Sequence, residues 1–291
     1  MGMMEAQLTL NHAPTVGNRL NAMGLHIAEF SFPNLYLFRK THDYQVITTE
    51  HGMFVSGTTY DKKRYLMPLE GPATAEEGCF DDLMNLLSTG QWDCVFPVPE
   101  EWLGCFPESE FHREYSLDDS DYLFFTEKFK TYPGKKMHKK KNLLNQFLKS
   151  YEPLLVPLTD DVFDDAKSIL DIWQDTTPQE IAASDYHQCL EALELREKLG
   201  LTGAMAYADG KPAGFLLGEP LNEETYTIHF AKADISLKGV YQFLFSRFAN
   251  DFCPDHLYIN LEQDMGSEGL RKTKTSYRPD LMAHKYRITP R

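Results

Sequence analysis

The stretch LTGAMAYADGKPAGFLLGE, Leu201 to Glu219, decides how this chain folds. Two β-type runs flank Asp209-Gly210, and Asp-Gly between such runs is the strongest short-range hairpin signal. Upstream, LLVPL (154–158) reads as a strand. DDVFDDAKSILDIWQD (160–175) carries apolar residues at 162, 163, 166, 169, 170 and 173, the spacing of an amphipathic helix. A second helix is expected over roughly 180–198. Downstream, TYTIHFAKA (225–233) is a strand, VYQFLFSRFAND (240–251) a helix and HLYINLE (256–262) a strand. SEGLRKTKTSY (267–277) is a helix and DLMAHKYRI (280–288) a final strand. The second half therefore reads β–α–α–β–β–β–α–β–α–β.

In the first half, NLYLFRK (34–40), YQVITT (44–49), MFVSGT (53–58) and RYLMPL (64–69) are short β-type runs. EEGCFDDLMNLL (76–87) has helical spacing, and WDCVFPV (92–98) and DYLFFT (121–126) are further strands. Pro133-Gly134 is a turn signal that sets expected domains at 1–134 and 135–291, with a helix opening at NLLNQFLKSY. No short-period repeat is present. The order in the second half resembles that of an N-acetyltransferase-like (GNAT) domain, with a weaker version before it. The expected fold class is α/β (α+β): tandem GNAT-like domains with mixed central sheets flanked by helices.

At 291 residues with 42% hydrophobic content, the chain can bury a substantial core. No apolar run approaches the ~20 residues of a membrane helix. The start lacks the pattern of a secretory signal, and Gly2 is followed by Ala6 where a myristoylation motif wants Ser or Thr. Five dispersed cysteines without a C-x-x-C pair fit free thiols in a reducing cytoplasm, the expected location. The histidines lack metal-ligand spacing, so no metal is expected.

The net charge of −14 is unevenly distributed. Residues 128–149 hold eight lysines and no acid, including Lys135, Lys136, Lys139, Lys140 and Lys141. An acidic body repels nucleic acid in general, so this island reads either as a local site for a defined anion or as a solvated face. DNA is not an expected partner, and the oligomeric state stays open.

Two constellations carry chemistry. Before the helix at 240, Lys238 and Gly239 sit where a helix N-terminus presents free N–H groups to an anion. The plainer alternative is a turn glycine beside a solvated lysine. In NLEQDMGSEGLRKTKTSY (260–277), Ser267 is the expected N-cap and Leu270, Thr273 and Tyr277 the expected buried stripe. Arg271, Lys274 and Arg278 share the neighbouring stripe, which calls for something anionic across them. Glu262 and Asp264 leave a strand end, where a carboxylate can accept a proton from an attacking amine. The plainer alternative, favoured for either acid taken singly, is a hydrated loop acid or a partner for Arg271. The candidate catalytic groups are Glu262, Asp264 and Tyr277. The candidate donor-binding set is Lys232, Lys238, Gly239, Tyr241, Arg271 and Lys274.

DYLFFTEKFKTYPGKKMHKKKNLLNQF, HFAKADISLKGVYQ and YINLEQDMGSEGLRKTKTSYRP…KY together resemble a bacterial family related to the C-terminal domain of phosphatidylglycerol lysyltransferases. That family has a tandem GNAT architecture akin to the Fem peptidyltransferases. The similarity runs from about Asn34 to Tyr286. Family members often carry an acid before the position of Lys232 and Arg-Glu after Asn260; this chain has Ala231 and Leu261-Glu262. Coenzyme A-binding loops of the fold take the form Arg/Gln-x-x-Gly-x-Gly/Ala, and here Ser236 and Tyr241 depart from it. The resemblance implies transfer of an acyl or aminoacyl group from a phosphate-bearing donor, acetyl-coenzyme A or aminoacyl-tRNA, to an amine or hydroxyl. Partners would then be a small anionic donor or tRNA. The alternative is a binding module for a nucleotide, RNA end or aminoacyl group, with a degenerate site.

Overall fold

A computed structural model describes residues 3–291. Gly2 lies outside the described residues. The first half contains β1 (Met4–Gln7), α1 (Asn18–Met23), α2 (Phe32–Phe38), β2 (Gln45–Thr48), β3 (Met53–Thr58) and β4 (Arg64–Pro68). It continues with α3 (Cys79–Ser88), β5 (Cys94–Pro99), β6 (Phe111–Tyr115), β7 (Asp121–Phe125) and α4 (Thr126–Thr131). Next come α5 (His138–Ser150), β8 (Pro153–Pro157), α6 (Phe163–Thr176), α7 (Tyr186–Leu195), β9 (Thr202–Ala208), β10 (Lys211–Pro220) and β11 (Thr225–Ala233). The chain closes with α8 (Val240–Asp251), β12 (Tyr258–Asn260), α9 (Glu268–Ser276), β13 (Leu281–Ala283) and β14 (Lys285–Pro290).

Two compact units result. One comprises Met1–Asp121, Gln263–Arg271 and Met282–Arg291; the other comprises Tyr122–Glu262 and Lys272–Leu281. Each has a seven-stranded mixed sheet. The first runs β1-β2-β3-β4-β5-β14-β6, and the second β13-β7-β12-β11-β10-β9-β8. The Asp209-Gly210 hairpin forms as expected, with Lys211 facing Ala208. Asp209 and Gly210 both take the positive φ that such a turn requires.

Three local expectations are corrected. NLYLFRK is not a strand but most of α2, because Ser31 caps the helix, its hydroxyl accepting the Asn34 N–H at 3.1 Å, and Pro33 sits in the first turn. DLMAHKYRI is two strands. β13 joins the second sheet, while β14 inserts between β5 and β6, with Tyr286 facing both Val98 and Tyr115. On α9, Leu270 and Thr273 are exposed and only Tyr277, just beyond the helix, is buried. A helix with one leucine in nine residues has no apolar stripe to bury, and polar contacts hold it instead.

In the first unit, Lys285 is completely enclosed. Its ammonium donates to Glu29 at 2.5 Å, Asp121 at 2.7 Å and Gln263 at 2.5 Å, satisfying all three N–H bonds. Asp121 also accepts the Ala28 N–H at 2.7 Å. Two residues along β14, Arg287 reaches Asp119 at 3.1 Å and Asp61 at 2.7 Å. A buried cation is tolerable only when paired and hydrogen-bonded in this way.

Candidate active site

In the second unit, β11 and β12 run parallel for three residue pairs, ending at Thr227 with Asn260. β12 stops there, and β11 continues to Ala233, so the two strands part. On the other side of β11 the ladder slips. Gly218 faces Ile228 and Leu217 faces Phe230, leaving His229 as the extra residue of a β-bulge. Gly218 is obligatory there, since a Cβ would come within 2.0 Å of the Thr227 carbonyl oxygen.

The bulge aims His229 at two carboxylates. Nδ1 lies 2.7 Å from Oε1 of Glu262, and Nε2 lies 3.0 Å from Oε1 of Glu219. The imidazole is completely enclosed, whereas Glu262 keeps 21% of its side-chain surface. Burial by itself lowers a histidine pKa. Here the hydrogen bonds to Glu219 and Glu262, reinforced by their charges, outweigh it and raise His229 to about 10. At neutral pH the ring is therefore an imidazolium donating from both nitrogens. Beside it, the Thr227 hydroxyl is buried with no hydrogen-bond partner among the described residues.

Glu262 has a backbone φ of 60°, the left-handed region that a non-glycine residue enters only when its surroundings hold it there. Its N–H donates to Asn260 Oδ1 at 2.6 Å. Its carbonyl accepts from the Tyr122 N–H at 3.3 Å and from Lys274 Nζ at 3.1 Å. The fold thus brings Glu262 and Lys274 together.

The other candidates have separate settings. In the first unit, Arg271 grips the fully buried Asp264 through Nε at 2.8 Å and Nη2 at 2.7 Å, and meets Asp118 at 2.5 Å. Hydrogen bonds to those carboxylates raise the guanidinium pKa further. Tyr277 is a core side chain packed on Phe124, Phe129 and Phe245, its hydroxyl accepting from Gln242 at 2.7 Å. Burial pushes its pKa upward.

Lys232 is buried, doubly bonded to Asp185 at 2.7 and 2.8 Å, with its ammonium 3.3 Å from the centre of the Trp173 ring. Lys238 is exposed. Gly239 begins α8 at φ 95°, and a Cβ there would meet the Leu143 carbonyl oxygen at 2.2 Å. Burial raises Tyr241 to about 12. In the basic island, Lys135, Lys136, Lys139 and Lys141 are exposed. Lys140 turns inward, 3.7 Å over the Tyr277 ring, and burial lowers its pKa to about 8.

The sequence reading passed over His229, Glu219 and Asn260. One signal was available: Thr225, Thr227 and His229 alternate with Tyr226, Ile228 and Phe230, marking a polar face. Among the described residues, no group of three or more His, Cys, Asp or Glu is arranged to hold a metal ion, and no helix is long and apolar enough to cross a membrane.

Residues 21–289 match the family described as phosphatidylglycerol lysyltransferase, C-terminal. The chain belongs to this family. A conserved protein of unknown function from Bacteroides thetaiotaomicron is 26% identical over the whole of both chains, with a TM-score of 0.86. The C-terminal domain of a putative lysylphosphatidylglycerol synthetase from Agrobacterium fabrum is 14% identical and has a TM-score of 0.63, over 97% of this chain and 92% of that one. At that identity the likeness concerns the fold alone, two mixed sheets flanked by helices. An uncharacterised protein of Mycoplasmoides gallisepticum is 27% identical over 201 residues, which is 67% of this chain and 63% of that relative's length.

Proposed function

We propose that the protein transfers an activated acyl or aminoacyl group from a phosphate-bearing donor, a tRNA ester or a coenzyme A thioester, to an amine or hydroxyl acceptor. The observation that carries this reading is the Glu219–His229–Glu262 array at the bulge, where β11 and β12 part. A reactive group placed at such an opening reaches a substrate lying between the strands. Membership of the family supports the same reaction class.

In this mechanism Glu262 is the base. The acceptor nitrogen or oxygen attacks the donor carbonyl carbon, and its proton passes to the Glu262 carboxylate. The carbon–oxygen bond of an ester, or the carbon–sulfur bond of a thioester, then breaks, and the departing alkoxide or thiolate takes that proton. The His229 imidazolium fixes the orientation of Glu262 and presents it with a positive charge, and Glu219 holds the far side of the ring. The exposed Lys238, together with Lys135, Lys136, Lys139 and Lys141 of the lysine island, is the proposed handle for donor phosphates. A soluble acceptor in the cytoplasm is part of the same proposal.

Turnover with aminoacyl-tRNA and with acetyl-coenzyme A, offered amine and hydroxyl acceptors, tests this. Product formed by the wild type and lost in Glu262→Gln supports it; product undiminished in that variant overturns the role of Glu262. A second reading, binding without turnover, is favoured by one feature. Gly239 packs on the Leu143 carbonyl, and Ser236 and Tyr241 depart from the coenzyme A loop form. Saturable donor binding without product on long incubation selects this second reading.

A further inference from the structure

We infer that Lys274 and Asn260 are positioning residues that set the reactive geometry of Glu262 by holding its backbone. The inference rests on the role proposed above for Glu262. It reassigns Lys274, which the sequence placed with the donor phosphates.

Side chains of Asn260, Lys274 and His229 act on the pose. Asn260 Oδ1 takes the Glu262 N–H at 2.6 Å, and Lys274 Nζ donates to the Glu262 carbonyl at 3.1 Å. The carboxylate is then met by His229 Nδ1 at 2.7 Å. The first two contacts restrain the peptide groups on either side of the Glu262 Cα. A residue at φ 60° that is not glycine relaxes toward negative φ unless both flanking peptides are held. Relaxation rotates the Cα–Cβ bond and swings the carboxylate away from His229, whose ring is locked in the bulge and cannot follow.

The two holders come from different places. Asn260 is the last residue of β12 and is fully buried, so its amide is fixed by the sheet. Lys274 stands in the last turn of α9. The ammonium also lies 5.8 Å from the Tyr122 ring, and Tyr122 itself donates to the Glu262 carbonyl from β7 at 3.3 Å. Glu262 is thus fixed from β12, β7 and α9, with its carboxylate turned toward β11. Anchoring the backbone fixes where the Cα–Cβ bond points and so where the carboxylate is delivered.

The sign of one measurement separates positioning from simple charge. If Lys274 acted only as a nearby cation, removing it would take a positive charge from the vicinity of His229 and raise the histidine pKa further. If it positions Glu262, removing it weakens the Glu262–His229 hydrogen bond and lowers the pKa toward its ordinary value of 6.5.

The experiment follows the His229 ring nitrogens by 15N NMR as pH rises, in wild type, Lys274→Met, Lys274→Arg, Asn260→Ala and Asn260→Asp. Thermal melts of each variant confirm the fold. Lys274→Met and Asn260→Ala are expected to lower the His229 titration point by about one unit or more, roughly a tenfold change in proton affinity. Lys274→Arg and Asn260→Asp keep the donor and acceptor and restore most of it. Where turnover is measurable, kcat falls about 10- to 100-fold in the first pair while KM changes little. An unchanged or raised His229 titration point in folded Lys274→Met overturns the inference for Lys274, and the same result in Asn260→Ala overturns it for Asn260. Should either variant not fold, the decision passes to Lys274→Arg or Asn260→Asp, in which a lowered point also counts against the inference. If wild type gives no product with any donor yet the titrations shift as expected, positioning stands and the transferase reading falls.

Discussion

Nδ1 of His229 stands 2.7 Å from Oε1 of Glu262, on the strand that runs on where its parallel neighbour stops. Replacing either partner breaks the array at its accessible end. In the transferase reading, Glu262→Gln and His229→Gln each lower kcat by about 10²- to 10⁴-fold. Glu219→Gln, one hydrogen bond further from the substrate, costs less. Initial rates, with melts to confirm folding, check this order; equal rates across the three variants would refute it.

The same pair sets a pH dependence. His229 holds its proton to about 10 in the folded chain, against 6.5 for an ordinary histidine. The group therefore contributes stability that is fully present below 6.5 and is lost as pH rises through about 10. Urea unfolding across that window should show wild type losing stability relative to His229→Gln. A difference that stays flat contradicts the imidazolium assignment.

Glu29 shifts in the same direction over a lower window. Burial, only partly offset by Lys285, raises it from 4.5 to about 7. An acid that binds its proton more tightly when folded makes stability fall as pH rises from 4.5 through about 7. Glu29→Gln keeps an acceptor for Lys285 and removes the titrating group, so the fall across that window should disappear from its urea midpoints. The window distinguishes this cluster from His229, whose loss of stability begins near 6.5, where that of Glu29 is ending.

Gly239→Ala tests the turn before α8. Its φ of 95° is strained for alanine, and the methyl group would meet the Leu143 carbonyl oxygen at 2.2 Å. Expected destabilisation is about 2 to 4 kcal/mol, above the strain of the dihedral alone. A thermal melt indistinguishable from wild type would mean that α5 does not press on this turn.

The lysine island predicts salt-sensitive RNA binding. Charge reversal at Lys135, Lys136, Lys139 and Lys141 removes four exposed cations without touching the core. The slope of log affinity for tRNA against log salt should shrink by about three, at ~0.7 per single-stranded phosphate contact. An unchanged slope places the grip elsewhere.

Local signals carried much of the fold. Asp209-Gly210 announced its hairpin, and the amphipathic spacing of 160–175 announced α6. NLYLFRK misled because its aromatic content outweighed a quieter signal, the Ser31 cap with Pro33 behind it. The split of DLMAHKYRI was illegible for a different reason. Which sheet a strand joins depends on partners nearly two hundred residues away, and alternation at Leu281–Pro290 is the same in either. At the site, the turn from acids to bases in 260–277 was visible, but its use was not. Arg271 and Lys274 fold back on Asp264 and on the Glu262 carbonyl, contacts that depend on two positive-φ residues, Glu262 and Met265. The polar face of Thr225, Thr227 and His229 is legible in the spacing, but the bulge that aims His229 at two carboxylates is not, because it depends on the register with β10.

β14 has a temporal consequence. Synthesis makes β5 and β6 early, yet the strand between them is encoded at residues 285–290. Until a ribosome has translated nearly everything before it, the first sheet presents two raw hydrogen-bonding edges, and Glu29, Asp119 and Asp121 await their cations. A nascent chain halted short of Lys285 is accordingly the species most exposed to edge-to-edge association, and the one with most need of a chaperone.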